Sequence, residues 1–213
     1  MQKQILNLLT ICVIALISTV VSFAQTSEPT AEQSLRLTTT EISRKYRQHN
    51  DGKDGLDINL KLRFTNIGNQ PVILNKRDIL LFETFIVPKD ERDEYLYGSI
   101  LACNLVAYDE NRFKQLEGSR PNSLFVVLSP GESFETQEQV FARVTRGDAP
   151  RESNVLSAGE YFLIVSVSTW DGGEQDLAEK LRRKWQRFGY LWSSSIKSEA
   201  MPLVIERERV YAK

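Results

Sequence analysis

The chain has 213 residues and 24.4 kDa, is 41% apolar and 26% charged, and carries a formal charge of −1. These values describe a globular protein of one or two domains with enough mass for a hydrophobic core, and they exclude collagen-like, disulfide-dense and disordered chains. The even charge balance also speaks against nucleic acid as a partner, because binding a phosphate backbone calls for a basic surplus.

Residues 1–24, MQKQILNLLTICVIALISTVVSFA, hold no acid and one base, Lys3, ahead of an apolar run from Ile5 to Phe23. Ser22 and Ala24 give the small-x-small pattern of a signal-peptidase site, so cleavage before Gln25 is expected. An uncleaved anchor is the competing reading, since the run approaches the roughly 20 residues that span a bilayer. The polar stretch QTSEPTAEQ that follows favours cleavage, which predicts an exported protein, periplasmic or extracellular, with no membrane span after processing. Processing would leave 189 residues with 26 bases against 28 acids, a net charge of −2, and Cys103 as the one thiol. Such a chain has no internal disulfide and must be held by burial and hydrogen bonding. Cys103 sits in SILACNLVAY and reads as a small buried side chain.

Residues 25–33 are polar and read as a flexible lead, followed by short apolar runs separated by turn residues, the pattern of an all-β sandwich. In LDINLKLRFTN, Leu56, Ile58, Leu60, Leu62 and Phe64 alternate with polar residues, which predicts an antiparallel strand with one buried face. Asn66 to Pro71 supplies a turn, and Val72–Leu74 and Ile79–Val87 are the next apolar runs. PKDERDEYLYG (88–98) is a charged excursion, Ile100–Tyr108 a further strand, and 109–122 a loop with room for one helical turn. Leu124–Leu128 reads as a strand ended by Ser129-Pro130-Gly131, and Phe134–Val144 as the next. After the loop at 145–155 comes LSAGEYFLIVSVSTW, and a last strand is expected near Leu203–Arg209.

One segment departs from this pattern. Gly172-Gly173 opens EQDLAEKLRRKWQRF and Gly189 closes it, with acids early and bases late, an order that complements a helix dipole. Leu177, Leu181, Trp185 and Phe188 form a narrow apolar stripe, so a helix is predicted near 174–188. The strand from Glu160 has apolar residues on both faces, and Phe162 and Ile164 are the expected seat of that stripe.

Leu156-Ser157-Ala158-Gly159-Glu160-Tyr161 followed by alternating aliphatics resembles the tyrosine corner of immunoglobulin-like sandwiches, and LSPGESFE (128–135) resembles the turn into the preceding strand. The pattern covers most of the chain after the leader and resembles exported bacterial immunoglobulin-like β-sandwich proteins. It is also similar to the BsuPI-type proteinase-inhibitor domain, which pairs an early N-x-G turn with PGE and G-x-Y segments. The antibody hallmarks are missing: Leu163 stands in place of the second cysteine, and Val72–Val87 holds no tryptophan. The resemblance implies an immunoglobulin-like antiparallel β-sandwich over 34–213, a single domain with one helical insertion before the last strand, and carries no inhibitory residue across.

The chemistry of a catalyst is hard to find. His49 is the one histidine and reads as a solvated loop residue, and no nucleophile elbow, P-loop or dinucleotide fingerprint is present. One histidine and one buried cysteine do not make a zinc site. Asn50 to Asp57 resembles a calcium loop, but Gly52 and Lys61 occupy positions that need oxygen ligands, and a tight Asp-Gly turn explains the residues better. The DERDE run at 90–94 reads as a solvated face. No catalytic residue, metal or cofactor is therefore expected.

All three tryptophans, Trp170, Trp185 and Trp192, lie in the last quarter, where residues 174–187 hold five bases against three acids. Trp192, Tyr190, Arg183 and Arg187 are the candidate binding surface, able to stack on a glycan or to meet an acidic partner. The competing reading puts the aromatics in the core and the bases on the wet face of the helix. The expectation is a non-enzymatic binding or assembly module of the bacterial cell envelope, its partner another envelope or extracellular protein met through loops or a strand edge. The alternatives are a proteinase-inhibitor-like role, with a loop such as 88–98 or 145–155 entering a protease cleft, and a carbohydrate-binding module.

Overall fold

The computed structural model describes residues 34–48, 54–76, 80–89, 97–101, 118–144, 155–170 and 175–206. The leader, the lead at 25–33, His49, Cys103 and most of the loops at 88–98 and 145–155 lie outside them. In chain order the strands are β1 (Leu35–Gln48), β2 (Asp54–Asn66), β3 (Val72–Asn75), β4 (Leu80–Pro88), β5 (Tyr97–Leu101), β6 (Phe125–Leu128), β7 (Ser133–Val144) and β8 (Gly159–Thr169). Helix α1 (Gln175–Trp185) follows, and then β9 (Tyr190–Leu191), β10 (Ser195–Lys197) and β11 (Met201–Ile205). The helix thus precedes three short strands, where the sequence suggested one.

The fold is an all-β sandwich. One sheet runs β1-β2-β7, and the other runs β10-β8-β4-β5 with β11 also paired to β8. That order matches strands A-B-E and G-F-C of an immunoglobulin-like sandwich. The alternation of β2 sets the core: Leu56, Ile58, Leu60, Leu62 and Phe64 are fully buried, each contributing about 1.5–3 kcal/mol by leaving water. Facing them are Tyr161, Leu163, Val165 and Val167 of β8. Tyr161 makes the corner, its Oη donating to the Ser157 carbonyl at 2.9 Å.

β1 was not legible as a strand. It pairs with β2 along its length, but the register shifts between Glu41 and Ser43, which leaves Ile42 as a bulge. Before the bulge Leu35 and Leu37 face inward; after it Arg44 and Tyr46 share the side of Ile58 and Leu56. A period of two broken by one residue reads in sequence as no period at all.

Two turns at the end of the sandwich interlock through Asn66, which is fully buried. Its Nδ2 donates to the carbonyls of Gln70 (2.9 Å) and Leu128 (2.8 Å), and its Oδ1 accepts from the Gly68 N–H (2.9 Å). Its backbone N–H donates to the Glu132 carbonyl, and its carbonyl accepts from the Gly131 N–H. Gly131 sits at φ +83°, a conformation that favours glycine. The N-x-G and P-G-E segments are therefore the two halves of one hydrogen-bonded joint.

A third, smaller sheet, β6-β3-β9, includes one parallel pairing, β3 with β9, so the sandwich is not wholly antiparallel. This sheet is a wall between two cores. Val72 and Leu74 point into the main core, whereas Ile73 points into a second one with Phe125, Trp170, Ala178, Leu181, Trp185 and Leu191. The stripe of α1 therefore seats on the small sheet. Phe162 and Ile164, the expected seat, belong to neither core, because the helix returns beside β3 instead of crossing β8.

Candidate functional site

The helical insertion is fastened at several points. The Trp185 indole N–H donates to the Gly118 carbonyl at 3.0 Å, and its ring meets Phe125 edge-on with centroids 4.9 Å apart. After the helix, Gly189 adopts φ +145° with its Cα so close to Pro71 that an added Cβ would lie 2.6 Å from the Pro71 carbonyl oxygen. The chain then hydrogen-bonds along β3, Tyr190 N–H to Pro71 O at 2.8 Å and Trp192 N–H to Ile73 O at 3.0 Å.

This anchoring decides which of the predicted residues reach the surface. Trp192 is 1% exposed and packs in the main core, which corrects its place in the candidate surface. The parallel pairing of β9 turns it inward. Trp170 and Trp185 are equally buried, so a glycan would meet no indole platform here. Tyr190 is half-buried, and Arg183 and Arg187 are exposed.

The basic face that remains is partly pre-set. Arg187 lies over the Phe188 ring at 4.7 Å and Arg182 over the Tyr190 ring at 4.9 Å, both within cation–π range. Arg182 also pairs with Glu179 and donates to the Ser193 hydroxyl, and the Arg183 Nε reaches the Glu179 carbonyl at 3.4 Å. Lys180 and Lys184 are exposed on the same helix. Guanidinium groups held on aromatic rings lose less freedom on meeting an anion than free side chains would. Arg182 is the member that sequence reasoning left out. Its helical position placed it among the bases, but its stacking on Tyr190 depends on the return through β9.

The strand edges look different. Glu41 of β1 and Glu138 of β7 both register opposite Leu60, so the two edges of the first sheet carry a carboxylate on the core side. Glu41 binds Arg44 through both oxygens at 2.6 Å, and Arg44 donates to the Val204 carbonyl of β11 at 2.6 Å, which bridges the two sheets. The hydrogen bond to Glu41 raises the Arg44 pKa above its ordinary value, against a smaller opposing effect of burial. Inward-pointing charge on an edge guards against pairing with a second strand. Recognition by strand addition is thus disfavoured along β1 and β7.

Other chemistry finds little support. Asp57 lies within β2, paired with Arg47, and not in a ligand loop. Among the described residues no group of three or more His, Cys, Asp and Glu side chains is placed to hold a metal ion. No helix among them is long and apolar enough to cross a membrane. Compared with known proteins, the chain matches no family profile, no curated protein and no solved structure.

Proposed function

We propose that the protein is an exported, non-enzymatic binding or assembly module of the bacterial cell envelope that meets an acidic partner protein through the basic face of α1. One observation carries this reading: Lys180, Arg183 and Lys184 are exposed on a helix whose opposite side is buried through Leu181 and Trp185, and Arg187 is exposed in the turn that follows it. A rigid element with a surplus of one sign, here four bases against Asp176 and Glu179 along α1, steers association with a partner of the other sign, and the effect weakens as salt rises. The inward carboxylates on β1 and β7 support recognition by a face over recognition by an edge. The leader supports export, and the immunoglobulin-like resemblance accords with a scaffold that displays a surface.

The test is affinity capture from the envelope fraction at low and at moderate salt, with the wild-type chain and an Arg183→Glu/Lys184→Glu/Arg187→Glu variant. The expected result is an acidic protein retained by the wild type, released by salt and absent from the variant. Equal capture by both chains would overturn the assignment to α1.

A further inference from the structure

The outer face of the five-stranded sheet is set apart from both cores at Phe162 and Ile164 of β8. Along β8, Phe162 and Ile164 point away from Tyr161, Leu163 and Val165. The registers lay out their neighbours: Pro202 and Val87 flank Phe162, and Phe85 flanks Ile164. One row below, Glu160 lies between Val204 and Lys89, with the Lys89 Nζ 2.5 Å from the Glu160 carboxylate. Two residues above Ile164, Ser166 lies between Lys197 of β10 and Glu83 of β4. Val204 is 49% exposed, Phe85, Phe162 and Ile164 are half-buried, and Val87 and Ser166 are buried; Lys197 is exposed, with its Nζ 5.6 Å from the centre of the Phe85 ring. Among the described residues, no element of the second core crosses this face.

We infer that this face is an isologous interface and that its occupant is a second copy of the chain. The charges argue for self-association over an acidic or basic partner, because each end of the apolar band carries one base and one acid. The row at Ser166 is the most telling. A two-fold axis running along β8 between two facing sheets exchanges its left and right neighbours, so Lys197 of each copy stands over Glu83 of the other. The same operation stacks Phe162 and Ile164 on their own counterparts.

This inference stands apart from the basic face of α1, and its test does not involve those residues. The full-length gene is expressed with its leader, and the product purified from the host envelope is followed by sedimentation velocity over a range of concentrations. A dimer is expected; a monomer at about 0.1 mM would overturn the inference. Lys197→Glu and Glu83→Lys, each checked for a native circular-dichroism spectrum, should each weaken the dimer by about tenfold, and the two together should restore it. A dimer indifferent to both single changes, or not restored by the pair, would place the contact elsewhere and would also overturn it.

Discussion

The two cores of this protein are built on different plans. The main core is assembled by aliphatic side chains that alternate along long strands, such as Leu56 to Phe64 on β2 and Tyr161 to Val167 on β8. The second is small and centred on aromatics: Trp170, Trp185 and Phe125 gather around one face of a four-residue strand, β3. The first spreads its burial over many equivalent positions, so no single residue carries it. The second rests on a few large side chains and on one backbone contact at Gly189. A small core of this kind adds a decorated helix to a sandwich, and it should be the first part to yield.

Trp185→Ala is the largest way to break that contrast. Removing a fully buried indole should cost about 3–5 kcal/mol. Hydrogen exchange should then show α1 losing protection while β2 and β8 keep theirs; equal loss in both cores would mean that they unfold as one unit. Asn66→Ala should cost about 3 kcal/mol in urea denaturation, since it leaves the carbonyls of Gln70 and Leu128 and the N–H of Gly68 without their partner. That loss should fall on the sandwich, opposite to the effect of Trp185→Ala. Gly189→Ala should cost about 2 kcal/mol through its positive φ and the Pro71 contact, again with the helix affected first. Tyr161→Phe removes the hydroxyl that bonds the Ser157 carbonyl and side chain at the corner and should lower stability by about 1 kcal/mol.

The smallest effect concerns pH. The Glu135 carboxyl is held below its ordinary value by the hydrogen bond from Arg63, with Lys61 adding a weaker attraction. Its stabilising contribution is present above the carboxylate range of the unfolded chain and is lost as pH falls through the lowered folded value. Glu135→Gln should therefore lower stability slightly at neutral pH, leave it nearly unchanged at low pH where the wild-type carboxyl is protonated, and so flatten the acid limb of the curve. A variant curve that parallels the wild type would remove Glu135 from the account.

Much of the sandwich was readable beforehand, for identifiable reasons. The strand at Leu56–Phe64 has a strict period of two, the corner at Tyr161 has a fixed local spacing, and the helix carries its own start, stop and stripe. β1 was hidden because the bulge at Ile42 breaks its period. The candidate site was half legible. Arg183 follows from helical spacing, and Arg187 was expected on the same helix but lies in the turn after it; Trp192 and Tyr190 lie further on, where nothing local says which of the two turns inward.

Composition and charge bounded the protein as a globular chain, and local pattern determined its class and most of its strands, because alternation and capping are properties of neighbours in sequence. What each apolar face meets is decided between residues far apart. The stripe of α1 needed a partner, and sequence offered Phe162 and Ile164. The tertiary structure chose Ile73 and Phe125, because the contact of Gly189 with Pro71 draws the chain back along β3. That choice buries all three tryptophans, leaves Arg183 and Arg187 exposed and keeps α1 off the outer face of β8. A period shows that a face must be covered; only packing in three dimensions determines by what.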